Sequence, residues 1–128
     1  MGIRWTWVAV AGGIGILGAR REIAEPEWLR ADGRTWDQLD PQGKQAYLAG
    51  FLAGTAAGSA LAAGAPDSAA LVERVHGQIQ SGLAFPFAPN VYAARLEDYY
   101  FYEDRRVRPI WYALWEVNQQ LQAASDPR

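Results

Sequence analysis

The sequence predicts an all-α protein of about five helices, in which an N-terminal hydrophobic helix precedes a small helical domain. Three observations support this prediction: apolar residues recur at helical spacing, helix-start signals precede the long segments, and no stretch alternates long enough for a strand. The 128 residues are enough for one compact core. We therefore assign residues 1–24 to an anchor or signal helix and residues 25–128 to one helical domain.

The N-terminal helix is predicted from the uncharged run of residues 5–19, which follows one arginine and precedes two more. As a helix this run would measure about 22 Å, against about 30 Å of bilayer hydrocarbon, and the tryptophans at its start suit a membrane interface. We favour a retained membrane anchor, with a cleaved secretory signal peptide and a buried soluble helix as alternatives. Three small residues share one face of the run, in a pattern typical of helix contacts in lipid: Ala11, Gly15 and Ala19.

Two short helical turns are predicted before the first long helix. Residues 26–31 form the first turn, and the pair Thr35 and Gln38 resembles a capping box that would open the second. Asp40 then supplies an N-cap for a long helix over residues 41–63, whose first residue is a proline. A glycine and a proline shortly after this segment stop the helix.

Three further helices complete the predicted domain. Apolar residues repeat at helical spacing along the first and the last of them. Two prolines in the segment between the first and the second favour extended backbone there. The predicted helices are residues 68–82 after the cap Asp67, residues 91–102 after the cap Asn90, and residues 110–124 after Pro109.

The long helix carries a row of small residues, which we call the glycine ridge. Its three glycines cost a helix about 1 kcal/mol each relative to alanine, so close packing of a neighbouring helix is the simplest compensation. We therefore expect the ridge to be buried inside the domain; a second membrane span and an exposed alanine-rich face are the alternatives. The ridge consists of Ala46, Gly50, Gly54, Gly58 and Ala62.

Two pieces of the chain, YLAGFLAG and EDYYFYEDRRVRPIWYALWEVNQQL, together with a preceding W-x-x-L turn, carry a family resemblance. They resemble small exported helical bacterial proteins of the Rap/Tai immunity type of type VI secretion. The resemblance implies a small, non-enzymatic helical binding fold. The sequence departs from that pattern where Arg105, Arg106 and Val107 replace a loop asparagine, and the helix around His76 looks like an insertion. The matching residues are Trp36, Leu39, Lys44, Tyr47, Gly50, Phe51, Tyr102, Asp104, Pro109, Ile110, Ala113 and Leu114.

Charge and composition disfavour several functional classes. Twelve basic and fourteen acidic residues are interleaved, so no basic stripe for nucleic acid forms, and the absence of cysteine removes disulfides and thiolate metal sites. His76 is the sole histidine, and a metal site or catalytic triad needs further partners. The acidic pairs at 97–98 and 103–104 are expected to form ion pairs with nearby arginines. We predict no catalytic residue, cofactor, metal or small-molecule substrate.

Aromatic and arginine residues concentrate between residues 99 and 115. Residues 99–102 point around a full helical turn, so they cannot all enter one core, and Trp111 and Trp115 share a helix face. Tyrosine, tryptophan and arginine are enriched in interface hot spots, which favours a contact surface; the alternative is that these aromatics fill the core or rest on lipid headgroups. The candidate partner-binding residues are Tyr99, Tyr100, Arg105, Arg106, Arg108, Trp111, Tyr112 and Trp115, together with Ala11, Gly15 and Ala19 of the first helix.

These observations predict a non-enzymatic accessory subunit of a bacterial membrane. Its N-terminal helix would anchor it, with the main domain on the periplasmic side, and its partners would be the membrane and other protein subunits. The complex it joins would be respiratory, photosynthetic or secretory. The second interpretation is an exported soluble inhibitor or immunity-like binding protein whose signal peptide is cleaved.

Overall fold

The computed structural model describes residues 24–126. The chain divides into two compact units, Met1–Arg30 and Ala31–Arg128. The described part of the first unit contains one short helix, α1 (Glu27–Arg30), where a helical turn was predicted. The predicted N-terminal helix, with Ala11, Gly15 and Ala19, lies outside the described residues, and the domain boundary after residue 24 stays a prediction.

The second unit is helical, and the all-α prediction is confirmed because the described residues contain no strand. Two residues distant in sequence, Asp32 and Pro109, form an isolated antiparallel bridge. None of the helices between residues 24 and 126 is both long and apolar enough to cross a membrane. The elements of this unit are α2 (Gly33–Gln38), α3 (Pro41–Ala62), α4 (Ser68–Ser81), α5 (Pro89–Tyr100), a 3-10 turn (Glu103–Arg105) and α6 (Ile110–Ser125).

Three of the predicted helix starts are confirmed. The Asp40 carboxylate accepts a hydrogen bond from the Gly43 amide at 2.6 Å, and α3 begins at the following proline. The Asp67 carboxylate caps α4 in the same way, at 2.8 Å from the Ala70 amide. Pro109 directly precedes α6, as expected. The two aspartate caps satisfy amide groups that have no partner within the helix, which explains why an aspartate before a helix predicts its start well.

Two predicted caps are wrong. Thr35 does not open a helix, because α2 already begins two residues earlier, after Asp32, whose carboxylate accepts from the Arg34 amide at 3.0 Å. Asn90 lies inside α5, which begins at Pro89 without a side-chain cap. A proline needs no amide partner at the first helical position and has a helical φ angle, so it starts this helix without the asparagine. The same helix ends at Tyr100 rather than at residue 102.

The core lies between α3, α5 and α6, with the indole of α2 inserted into it. The helix α5 packs against both α3 and α6, while α4 packs against α3. The apolar repeat predicted along the last helix is confirmed, since Ile110, Leu114 and Val117 are buried and Leu121 packs against them. The core side chains are Trp36, Leu48, Tyr92, Leu96, Tyr99, Tyr100, Ile110, Ala113, Leu114 and Val117.

The expectation of a buried glycine ridge is wrong for the described part of the chain. All five ridge residues are exposed, and a Cβ atom built on any of its three glycines would meet nothing within 4 Å. The helix α3 instead turns Leu48, Phe51 and Leu52 toward the core. Fully burying a side chain such as Leu48 contributes about 1.5–3 kcal/mol. The partly buried Phe51 and Leu52 add a share of this amount each, so the three together offset the roughly 3 kcal/mol that the glycines cost.

The glycine that does require close approach is Gly33, at the start of α2. A Cβ atom there would lie 2.6 Å from the Tyr100 ring and 3.0 Å from the Arg106 Cα atom. The Gly33 amide donates to the Arg106 carbonyl at 3.0 Å, and the Ile110 amide donates to the Ala31 carbonyl at 2.8 Å. The beginning of this unit is therefore held against the connection between α5 and α6.

A buried polar network ties α5, α6 and the segment before α5 together. The Tyr92 hydroxyl donates to Asn118 Oδ1 at 2.8 Å, and Asn118 Nδ2 donates to the Ala84 carbonyl at 2.7 Å. Gln122 Nε2 donates to the same carbonyl at 3.0 Å from an exposed position. Because the buried amide of Asn118 has a partner for both its donor and its acceptor group, it is accommodated in an otherwise apolar core.

A second polar contact satisfies the buried tryptophan of α2. The Trp36 indole nitrogen donates to Glu97 Oε1 of α5 at 3.2 Å. The Lys44 ammonium of α3 binds the same carboxylate oxygen and lies 5.2 Å from the centre of the indole ring. Three helices thus converge on one carboxylate, which fixes the orientation of the indole in the core.

Candidate functional site

The aromatic and arginine side chains gather at the end of α5, the connection after it, and the first two turns of α6. Tyr102, Trp111 and Trp115 are exposed, with 54%, 43% and 49% of their surface accessible. Large aromatic side chains with this much accessible surface are unusual when they cluster. We call this region the aromatic–arginine surface, and it consists of Tyr102, Arg105, Arg108, Trp111, Tyr112 and Trp115.

Two arginines connect the tyrosines of this region. The Arg105 guanidinium lies 4.6 Å from the Tyr102 ring centre and 5.0 Å from the Tyr99 ring centre. The Arg108 guanidinium lies 5.8 Å from the same Tyr99 ring. Each such cation–π contact contributes about 0.5–1 kcal/mol at an exposed site. The Tyr99 ring, itself buried, therefore serves as a platform that orders both arginine side chains.

The carboxylate of Glu116 on α6 is the centre of the polar part of the site. It accepts hydrogen bonds from the Tyr112 hydroxyl at 3.0 Å, from Arg108 Nη1 at 3.2 Å, and from the Tyr99 hydroxyl. Arg108 Nη1 also donates to the Tyr99 hydroxyl at 2.9 Å. One carboxylate thereby joins α5, the connection and α6.

These contacts shift the pKa values of the Glu116 carboxyl and of the two phenols that donate to it. The hydrogen bond from Tyr99, followed by those from Tyr112 and Arg108, lowers the pKa of Glu116 against the opposing effect of burial. Burial, and then the bond to Glu116, raises the pKa of Tyr99, while the bond to Glu116 is the main cause of the raised pKa of Tyr112. At neutral pH the carboxylate is ionised and the phenols are protonated, so each group keeps the form that its hydrogen bonds need.

Along α6 the aromatic rings form a continuous row. The Trp111 and Tyr112 ring centres are 6.0 Å apart with nearly perpendicular planes, and Tyr112 and Trp115 are 5.8 Å apart. These spacings lie within the range of favourable aromatic pairs. Because the Tyr112 hydroxyl is held by Glu116, the middle ring of the row is fixed and positions its two neighbours.

Five predicted partner-binding residues are brought together in this region: Arg105, Arg108, Trp111, Tyr112 and Trp115. The expectation that Tyr99 and Tyr100 lie on an exposed contact surface is corrected, because both are core residues. The Tyr100 hydroxyl donates to the Arg108 carbonyl at 2.8 Å, and burial raises the pKa of this phenol far above its usual value. Arg106 is directed instead to Asp37 at 3.1 Å and to Glu103 at 3.6 Å.

Sequence reasoning missed Glu116, the residue that organises the site. One signal was present, since Tyr112 and Glu116 are four residues apart on one helix and therefore share a face. The bond from Tyr99 joins residues seventeen positions apart and has no local sequence signature. The predicted ion pairs are found in part: Glu103 pairs with Arg106, whereas Glu97 pairs with Lys44 of another helix.

Other candidate chemistry stays apart from this surface. His76 is exposed on α4. Within residues 24–126 no three histidine, aspartate or glutamate side chains are grouped so that they could hold a metal ion. The ionised Glu116 has donors on both of its oxygens, an arrangement that orders neighbouring rings rather than one that holds a mobile proton.

The chain has no match among protein-family models, curated proteins or solved structures. The resemblance to Rap/Tai immunity proteins therefore stays a prediction. The structure explains in physical terms what the resembling positions do here: Trp36, Ile110, Ala113 and Leu114 are core residues, and Tyr47 packs against them. Such positions specify a helical packing arrangement and carry no information about a partner.

Proposed function

We propose that this chain is a non-enzymatic binding subunit whose aromatic–arginine surface contacts another protein. The observation that carries the proposal is the unbroken series of contacts from Tyr102 through Arg105, Tyr99 and Arg108 to Glu116, and from there through Tyr112 to Trp115. Exposed tryptophans and an exposed tyrosine, held together with half-buried arginines in one region, are the composition of an interface hot spot.

The contacts within the surface favour binding because they lower its entropic cost. Immobilising a flexible side chain at an interface costs about 0.5–1.5 kcal/mol, and arginine is among the most flexible side chains. Here Arg105 is already held against two rings, and Arg108 is held by Tyr99 and Glu116. A partner would meet a surface whose side chains are largely ordered before the encounter.

The proposal includes the membrane. Residues 1–24 would serve as an anchor, the helical domain would lie on the periplasmic side, and the subunit would join a larger respiratory, photosynthetic or secretory complex. The support is the uncharged run of residues 5–19 with arginines on both sides. The second candidate is an exported soluble inhibitor or immunity-like protein, supported by the same signal-like N-terminus and by the resemblance to exported helical proteins.

Purification of the tagged full chain from its own cells in mild detergent tests the surface. Replacing both Trp111 and Trp115 by alanine is expected to weaken recovery of bound subunits at least about tenfold, since hot-spot truncations cost 2 kcal/mol or more. Leu61→Ala is the matched control, because Leu61 is also exposed but lies on α3 outside the surface. Unchanged recovery in a double variant with native circular dichroism would contradict the proposal.

Two measurements separate the membrane-anchored subunit from the soluble alternative. Intact mass of the native protein shows whether the N-terminal segment is retained, and carbonate extraction shows whether the protein stays with membranes. The anchored subunit is expected to have its full mass and to resist extraction. A mature chain that starts near Arg20 and is found free in solution would favour the exported inhibitor.

A further inference from the structure

A cavity lies between α3, α4 and the segment of residues 83–87, on a different part of the domain from the aromatic–arginine surface. Its volume is about 260 Å³, and it has an open mouth. Apolar side chains from all three elements form most of its wall, principally Leu52, Val75, Ile79, Leu83, Phe85 and Phe87. The Phe85 ring is held in place by an edge contact with Phe51, whose ring centre is 5.2 Å away.

The polar side chains in the wall donate hydrogen bonds to backbone carbonyls of the protein. The Thr55 hydroxyl donates to the Leu52 carbonyl at 2.8 Å. Gln78 Nε2 reaches across from α4 and donates to the Ala56 carbonyl at 2.9 Å. None of the residues between 24 and 126 that line the cavity is charged. An ionised ligand would therefore lose its hydration without gaining a counter-charge, which excludes acids and amines as good occupants.

Much of the apolar side-chain surface of α4 is exposed to solvent. Ile79, at the cavity, has 69% of its surface accessible, and Val75 is only half-buried. This helix contains no fully buried residue. Arg74 donates to the carbonyl of Ala63, the residue after α3, at 2.5 Å, and Gln78 donates to a carbonyl of α3 itself at 2.9 Å. Two hydrogen bonds thus hold α4 in place. Its apolar side chains at the cavity nevertheless remain accessible, so a bound molecule could bury them.

We propose that this cavity binds a small, neutral, apolar molecule about the size of one substituted aromatic ring or a short hydrocarbon chain. A dry protein cavity of about 150 Å³ holds benzene, and pockets for drug-sized ligands begin near 300 Å³, so 260 Å³ fits a ligand between these sizes. Binding is driven by covering the exposed part of Ile79 and the two phenylalanine rings.

Toluene and benzoate, which differ chiefly in charge, are the probes for the full-length protein. Toluene is expected to raise the midpoint of thermal unfolding and to shift the methyl NMR signals of Val75, Ile79 and Leu83. Benzoate is expected to do neither. Ala56→Leu adds a larger side chain to the wall and should abolish the toluene effect, whereas Ala94→Leu, the same change at an exposed site on α5, should preserve it.

A second variant is needed because Ala56→Leu would also abolish the toluene effect if it simply prevented folding. Ile79→Asn replaces an exposed side chain at the cavity and is expected to weaken toluene binding about tenfold, because the ligand loses an apolar contact surface. Equal toluene effects in the wild type and in either cavity variant would overturn the proposal, as would shifts centred on Trp111. Sedimentation that shows self-association lost in Ala56→Leu would also overturn it, since a second copy would then be the occupant.

Discussion

The ring of Tyr100 lies directly against the backbone of Gly33, closer than a Cβ atom at that residue would permit. The distance from the position of such a Cβ atom to Cδ1 of the ring is 2.6 Å, and to Cε1 it is 2.9 Å. Tyr100 cannot easily move away, because it is buried and its hydroxyl donates to the Arg108 carbonyl. This contact joins the start of α2 to the end of α5 and so supports the base of the aromatic–arginine surface.

Gly33→Ala is therefore expected to destabilise the domain. The added methyl group would have to displace a buried ring, and overpacking of this kind costs about 1–3 kcal/mol. Urea unfolding followed by circular dichroism measures the loss in the free energy of unfolding. A variant as stable as the wild type would show that the ring and the glycine backbone are not in contact.

Gly54→Ala, the same substitution on the exposed face of α3, is expected to have the opposite sign. In the described part of the chain nothing lies within 4 Å of a Cβ atom there, and alanine in place of glycine in a helix interior favours the helix by about 1 kcal/mol. The free energy of unfolding in urea should rise by up to this amount. A decrease would indicate that another segment or chain packs on the glycine ridge.

Glu116→Gln is expected to reduce stability most near neutral pH. The pKa of Glu116 is lowered in the folded protein, so the ionised carboxylate stabilises the fold above its ordinary pKa near 4.5. That contribution is lost as the pH falls below 4.5 and through the lower folded value. The free energy of unfolding should differ between wild type and variant by up to about 1 kcal/mol at pH 7, the magnitude expected for a pair that solvent can reach. This difference should therefore become smaller in acid.

Urea unfolding at several pH values between 3 and 7 measures that difference. Glu73→Gln is the control, since it removes an exposed carboxylate on α4 outside the tyrosine and arginine network. A difference between wild type and Glu116→Gln that stays constant over the whole range would show that the charge of Glu116 does not contribute to the fold.

Asn118→Ala is expected to cost about 1–3 kcal/mol, because the buried Tyr92 hydroxyl would lose its acceptor. Gln122→Ala is a close control, since Gln122 bonds to the same Ala84 carbonyl from an exposed position and its removal should change stability by less than about 0.5 kcal/mol. Thermal or urea unfolding of the two variants gives the comparison. Equal losses of stability in the two variants would mean that the hydrogen bond from Tyr92 to Asn118 adds nothing to the bond that each residue makes with the Ala84 carbonyl.

Local signals in the sequence were sufficient for most of the helices and insufficient for their packing. Asp40 and Asp67 act through bonds to amides three residues away, so the helix starts could be predicted without the fold. The glycine ridge shows the limit of this reasoning. Spacing identifies residues that share a helix face, but whether that face is buried depends on the competing face, here that of Leu48 and Phe51.

The same limit applies to the candidate site. Composition identified the segment in which the aromatic and arginine side chains lie. The argument that residues 99–102 could not all be buried is confirmed by a buried Tyr99 and an exposed Tyr102. Which tyrosine faces inward depends on how α5 rotates against α6, and no local pattern specifies that rotation. Glu116 was overlooked for a related reason, since its partners come from α5, from the connection and from its own helix.

The hydrogen bond from the Ile110 amide to the Ala31 carbonyl links the first residue of the second unit to the start of its last helix. Four core side chains belong to the last helix, so the earlier helices cannot complete their packing until that helix has been synthesised. During translation the growing chain would expose apolar surface until residues near 117 leave the ribosome. The domain is therefore expected to fold as one unit, and only after α6 has been synthesised.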